Sequence, residues 1–407
     1  MFSSARAVRS RSALFGAALV AALACSVGTA PTALADDMRS KQWYLDAMDA
    51  DAVGKVSTGK GVTVAVIDTG VRSEPELTGR VLGGRDFTGS GDGRKDTSGH
   101  GTSMAVLIVG SGANGGLKGL APDAKILPVR AVVGDHDFAG TAITAKAIRY
   151  AAESDARIIS ISLGSDSASE GEKQELASAV TYALGKGKLI FAAAGNTGDK
   201  GNRIEYPGAT PGVAAVGAIG TDGKVAKFST TGSQLALAAP GDKIPSHCSD
   251  GNGYCETNGT SQATALTSAT AALIWSAHPD WTGNQVLRVM METAGHNGKV
   301  PSQFIGYGTV RPAQVLLKGN GDPGPADVNP LLAARGGGAA TTSPSPADTA
   351  DKGAGGGDQE KPQAGKAADN ESQDEDSAPW TVIAIIAAAV VLIGGAVAAV
   401  RVRNKRA

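Results

Sequence analysis

Aromatic side chains are scarce in this chain: Phe, Tyr and Trp make up 4% of its 407 residues, while glycine alone accounts for 56. So thin a supply of large apolar groups excludes one core running the whole length, and part of the chain is expected as linker or tight turn. Charge of one sign is also lacking. Lys and Arg (38) nearly balance Asp and Glu (39), for a formal net charge of -1. Without a basic stripe for phosphate backbones, nucleic acid is excluded as a partner. No His-x-x-x-His and no paired Cys–His spacing occurs, so neither a transition metal nor a cofactor is expected. The acidic loop "GSGDGRKD" reads as solvated charge ahead of a calcium site. No internal repeat is visible.

Cysteine is limited to three, and the two ends of the chain say which matter. Residues 1–35 read as an export signal. Arg6, Arg9 and Arg11 form a positive start, Ala13 to Ala24 an apolar stretch, and Ala33-Leu34-Ala35 a small-x-small cleavage site. Cys25 leaves with that segment, so Cys248 and Cys255 remain, an even number in an oxidising compartment, which favours a local disulfide over two free thiols. At the other end Trp380 to Val400 is 21 residues without a charge. At 1.5 Å per residue this spans about 31 Å, enough for the hydrocarbon layer of a bilayer. Arg401, Arg403, Lys405 and Arg406 follow at once, placing 401–407 in the cytoplasm and everything before the span outside the cell membrane. Residues 319–379, rich in Gly, Ala, Pro and Asp, bury too little apolar surface to offset their ordering entropy and are expected as a disordered tether.

Between these ends, residues 60–318 alternate two patterns, behind a short N-terminal extension at 36–59. "GVTVAVIDTG", "KILPVRAVV", "RIISISLG", "KLIFAAAGN", "GVAAVGAIG" and "LALAAPG" are short apolar runs of the kind buried on both faces of a parallel sheet. Helical stretches separate several of them, notably 141–154 and 174–184. The fold class is therefore α/β, a doubly wound and mainly parallel sheet, whose ligands gather at the carboxyl ends of the strands. Asp68, Ser162-Leu163-Gly164 and Asn196 each fall at such an end.

Two serines compete as nucleophile, because "GTSMA" at 101–105 and "GTSQA" at 259–263 are written alike. Ser103 falls inside the helix that His100 opens, where its N–H and hydroxyl are engaged by backbone. Ser261 falls at a helix start and offers both its Oγ and its own N–H to an oxyanion, which favours it. His100, set between glycines at a crevice-facing turn, is the expected base; His136, His247, His278 and His296 are expected in surface or structural roles. Asp68 on its strand is favoured over Asp96 as the carboxylate that orients the imidazole, Asp96 being placed to bond loop backbone or a helix start. Asn196 would add a side-chain donor to the oxyanion hole.

"VAVIDTG", "GHGT", "ISLG", "AAAGN" and "NGTSQA", in that order, resemble the aspartate, histidine, substrate-strand, oxyanion and serine motifs of the subtilisin-like (subtilase) serine peptidases. The resemblance implies Asp68, His100 and Ser261 as catalytic residues, Asn196 as oxyanion donor and Ser162, Leu163 and Gly164 as the backbone that pairs with a peptide or protein substrate. The layout is similar to that of the mycosins, membrane-anchored subtilases associated with type VII secretion, and implies that machinery as a partner. An extension of only 36–59 is too short to fold alone as an inhibitory prodomain. Three positions depart from the family pattern: Ala265 where proline is usual, Val106 where glycine is common, and Gln262 beside the serine. They motivate an alternative function, a subtilase-fold subunit that braces a secretion complex with weak or dispensable catalysis. A lipase-type esterase would need a Gly-x-Ser-x-Gly elbow, which is absent.

Overall fold

Runs of aliphatic residues buried on both sides form the centre of the molecule. The computed structural model describes residues 38–133, 140–248 and 253–336. In chain order the elements used below are α1 (Trp43–Ala47), α2 (Ala50–Val53), β1 (Thr63–Asp68), β2 (Arg85–Asp86), α3 (His100–Val109), β3 (Lys125–Arg130), α4 (Thr141–Glu153), β4 (Ile158–Ile161), α5 (Glu170–Gly185), β5 (Leu189–Ala193), β6 (Ala214–Ile219), β7 (Leu235–Pro240), β8 (Ile244–His247), β9 (Tyr254–Thr257), α6 (Thr260–Ala277), α7 (Gly283–Glu292), α8 (Pro312–Leu316) and α9 (Pro330–Ala334).

β1 to β7 make one sheet in the order β2-β3-β1-β4-β5-β6-β7, and every neighbouring pair is parallel. Alternate residues of β1 feed two cores. Val64 and Val66 join α3, α6 and α7 on one face; Ala65 and Ile67 join α4 and α5 on the other. Helices on both faces explain why these strands show no polar alternation. The sheet turns back on itself at β1, which lies between β3 and β4. That makes the carboxyl end of β1 a switch point where a crevice must open.

α6 runs through the larger core with every residue from Thr260 to Trp275 buried. Small side chains let it approach the sheet closely, and its inward threonines are satisfied locally: Thr264, Thr267 and Thr270 donate to the carbonyls of Thr260, Ala263 and Leu266 at 2.8–2.9 Å. α5 begins with a reciprocal cap between Ser169 and Glu172.

Two segments are more integrated than their composition suggests. In the N-terminal extension, Tyr44, Leu45 and Val53 are fully buried. Gln42 exchanges bonds with the backbone of Lys118 at 2.7 and 2.9 Å. The expected tether likewise does not start at 319: residues 319–336 fold back on α7. Arg288 donates to the carbonyls of Pro323 and Val328, Thr282 and Asn284 to that of Ala326, and Leu331 on α9 is 2% exposed within the larger core. The correction has a simple cause. Backbone carbonyls in this glycine- and proline-rich stretch take side-chain donors from the domain, so little apolar surface is needed to order it.

No helix among the described residues is long and apolar enough to cross a membrane. The expected signal at 1–35, the rest of the tether, the span 380–400 and the tail 401–407 lie outside the described residues, as does His136.

Candidate active site

The carboxyl end of β1 supplies Asp68, which is fully buried. Its Oδ1 lies 2.7 Å from His100 Nδ1 and accepts from the Thr69 N–H at 2.7 Å. His100 opens α3, and its side chain keeps 28% exposure toward the crevice. The closeness of α3 to β1 depends on Gly101, where a Cβ would stand 2.2 Å from the Gly70 carbonyl oxygen and 2.9 Å from Asp68 Cβ. The motif Gly-His-Gly is therefore a packing requirement as well as a setting for the imidazole.

Asp96, the competing carboxylate, is engaged elsewhere. Its oxygens accept from the N–H groups of Ser98, Gly99 and Thr102 and from the Thr69 hydroxyl, at 2.8–3.1 Å. It holds the loop that enters α3 and has no direct bond to the imidazole. Ser103 is likewise occupied: its N–H and its hydroxyl both donate to the Gly99 carbonyl, at 3.0 and 2.9 Å.

Ser261 sits at the second position of α6, 6% exposed. At that position its N–H has no carbonyl one turn behind it. Its Oγ donates to the Ser162 carbonyl and the Ser162 Oγ donates to the Ser261 carbonyl, both at 3.3 Å, so segments 99 residues apart meet at the end of β4. Leu163 and Gly164 follow, half-buried. Asn196, just past β5, is exposed. Its Oδ1 accepts from the Thr260 N–H at 2.9 Å and the Thr260 hydroxyl at 3.1 Å. With the oxygen taken by Thr260, the NH₂ is the part of the amide left to meet a ligand. Thr260 thus orients Asn196, a part that the motif string placed beside the serine without revealing.

Beside this crevice β8 and β9 form an antiparallel hairpin in which Cys248 and Cys255 are joined, Cα–Cα 5.1 Å. The hairpin is anchored on Glu76, 1% exposed, which accepts from the Tyr254 hydroxyl at 2.8 Å and lies 3.2 Å from His247 Nε2. Burial alone would raise the Glu76 carboxyl, but bonds from His247, its own backbone N–H and Tyr254 outweigh it and hold the group at about 2. Among the described residues Glu74, Glu76 and His247 are one group whose ligand atoms lie within 4.8 Å of one another and could hold a metal ion. Two ligands two residues apart and a third far away in sequence leave no spacing motif. Internal bonds already use the Glu76 oxygen, and Glu74 pairs with Arg72 at 2.8 Å. Of the other histidines, His278 stacks on Trp281 with ring centroids 3.9 Å apart, and His296 lies 3.1 Å from the Gly298 carbonyl.

A family model described as the subtilase family matches residues 59–308. The chain belongs to the subtilase family. Its relatives include the thermostable alkaline protease of Halalkalibacterium halodurans, 38% identical over 60% of this chain and 65% of that protein's length, and thermitase of Thermoactinomyces vulgaris, 36% identical over 58% of this chain and 83% of the relative. The chain thus spans just under two thirds of the first of these subtilases. Among solved structures it is similar to MycP1 from Mycobacterium smegmatis, with TM-score 0.61, 29% identity, and 70% and 86% of the two chains covered. It is also similar to the MycP3 protease from the type VII (ESX-3) secretion system, with TM-score 0.59, 33% identity, and 68% and 88% covered.

Proposed function

We propose that this subtilase is a serine endopeptidase tethered to the outside of the cell membrane and associated with type VII secretion. The observation that carries the catalytic reading is the 2.7 Å contact between buried Asp68 and His100, formed at the same crevice in which Ser261 opens α6 beside Ser162. In this reading Ser261 Oγ attacks a peptide carbonyl while the distal nitrogen of His100 takes its proton. The imidazolium then donates that proton to the leaving amine, and water reverses the sequence to release the acyl group. Asp68 fixes Nδ1 as the protonated nitrogen and stabilises the cation. The Asn196 NH₂ and the Ser261 N–H receive the oxyanion, a task that suits donors held in place before charge develops. An extended substrate pairs along Ser162-Leu163-Gly164 by strand addition.

The departures from the family pattern are compatible with turnover. Ala265 and Val106 are fully buried within unbroken helices, and Gln262 Nε2 donates to the Thr257 hydroxyl at 2.9 Å. None removes a reacting group, so catalysis is preferred to a purely bracing role. The apolar stretch 380–400 and the signal-like 1–35 support the membrane placement. Similarity to MycP1 and MycP3, together with that layout, supports the link to type VII secretion.

The test is cleavage of an unfolded protein substrate by the purified full chain. Wild type is expected to cut it, with His100→Ala and Ser261→Ala slower by at least about 10³. Equal cutting by the Ser261→Ala protein would overturn the reading. Membranes washed with alkaline carbonate should retain the chain, and its appearance in the wash would overturn the anchored placement.

A further inference from the structure

Glu205 is an acidic group at the crevice that the catalytic scheme does not use. An acyl chain whose carbonyl carbon meets Ser261 and whose oxygen meets Asn196, while its backbone runs along Ser162 to Gly164, must direct its next side chain into the gap between two segments: Gly164 on one side and Ala193 to Asn196 on the other. Glu205 stands in that gap. A Cβ on Gly164 would come within 2.4 Å of Glu205 Oε2, and a Cβ on Gly195 within 2.5 Å of Oε1. Both walls are thus bare glycine where the carboxylate lies between them. The position is held from behind, since Ser165 and Tyr206 exchange backbone bonds at 2.9 Å and the Glu205 carbonyl accepts from the Ala209 N–H at 3.0 Å.

The carboxylate also lacks a countercharge. Among the described residues no cation lies within ion-pairing distance of Glu205, and the nearby Arg203 is turned outward, 62% exposed and paired with Asp166 at 2.5 Å. Burial raises the Glu205 carboxyl above the usual glutamate value; the Asn196 N–H opposes that rise, Asp166 adds to it and Arg203 opposes it. A half-buried acid without a countercharge, flanked by two glycines, is a receptor for a cation.

Resting on the peptidase reading of the same crevice, we infer that Glu205 selects substrates with lysine or arginine immediately before the bond that is cut. The ammonium or guanidinium of that residue supplies the missing countercharge, reaching the carboxylate at the end of a long methylene stem.

The experiment uses the full chain carrying Ser261→Ala, so that binding is read without turnover. Short product-like peptides ending in lysine or in norleucine, which share length and differ in charge, are titrated by fluorescence anisotropy. The lysine peptide is expected to bind at least about tenfold more tightly, and Glu205→Gln on the same background should abolish the difference. Equal binding of the two peptides, binding of neither, or an advantage for norleucine overturns the inference. So does a Glu205→Ala protein that gains affinity for norleucine where the parent shows no preference for lysine, because Glu205 would then only fill the slot. The peptidase reading fails separately: a lysine preference without turnover by the wild-type chain sinks catalysis and leaves Glu205 as the selector, whereas turnover without that preference sinks this inference alone.

Discussion

Among single residues, the most informative pair is Asn196 and Thr260. Removing one donor from an oxyanion hole costs about 10²–10³ in turnover. Asn196→Ala is therefore expected to lower kcat by that factor with little change in KM, measured on a soluble peptide ester; an unchanged kcat would remove Asn196 from the scheme. Thr260→Val takes away the hydroxyl that donates to Asn196 Oδ1. The expected loss is about tenfold in kcat, smaller than for Asn196 because the Thr260 N–H still holds the same oxygen. The places of Asp68, His100, Asn196 and Ser261 in the fold were legible from sequence because each lies where a strand ends or a helix begins, and such places are marked by glycine and by a change of hydrophobic period. The choice between Asp68 and Asp96 was legible for the same reason. Glu205 was not legible. It sits in the loop "RIEYPG" without any repeat or spacing, and its meaning comes only from the glycines of two other segments that close around it.

Secondary elements divide in the same way. Strands buried on both faces announce themselves as aliphatic runs, and α3 and α6 as helices beginning at Gly-His and Thr-Ser. The hairpin β8–β9 carries no such mark. Its four-residue strands are short, and β9 is largely exposed. What fixes it is Glu76, far away in sequence, together with the Cys248–Cys255 bond. Glu76 titrates near 2 in the folded chain against 4.5 for an ordinary glutamate. A lowered carboxyl pKa contributes stability that is fully present above pH 4.5 and is lost as pH falls through about 2. Wild type should accordingly melt higher than Glu76→Gln at pH 6, and the gap in Tm should close as the pH is lowered from 4.5 toward 2. A gap that does not vary with pH would show that Glu76 acts only through packing. Reduction of the disulfide should destabilise the domain by about 2–3 kcal/mol on the chain-entropy estimate.

At the scale of the whole molecule, the folded part runs past the border at 319 that composition suggests. Residues 319–336 look like linker, but their carbonyls are taken by Arg288, Thr282 and Asn284, and Leu331 is buried. A chain ended after Lys318 should therefore lose about 2 kcal/mol or more from Leu331 alone relative to one ended after Gly336, read as a lower Tm; equal melting would mean the segment adds nothing. The topology was readable as a class, α/β with a parallel sheet, whereas the order of strands was not, because apolar runs say that they are buried and not beside which neighbour. That order has a chemical consequence: β1 and β4 are neighbours, so the Asp68–His100 pair and the Ser162–Ser261 pair stand at the same end of adjacent strands. The most direct check is to label the purified full chain with a fluorophosphonate and map the modified residue by mass spectrometry. Labelling of Ser261, abolished in the His100→Ala protein, is the expected result. Labelling of Ser103, or of no serine in folded protein, would contradict the account.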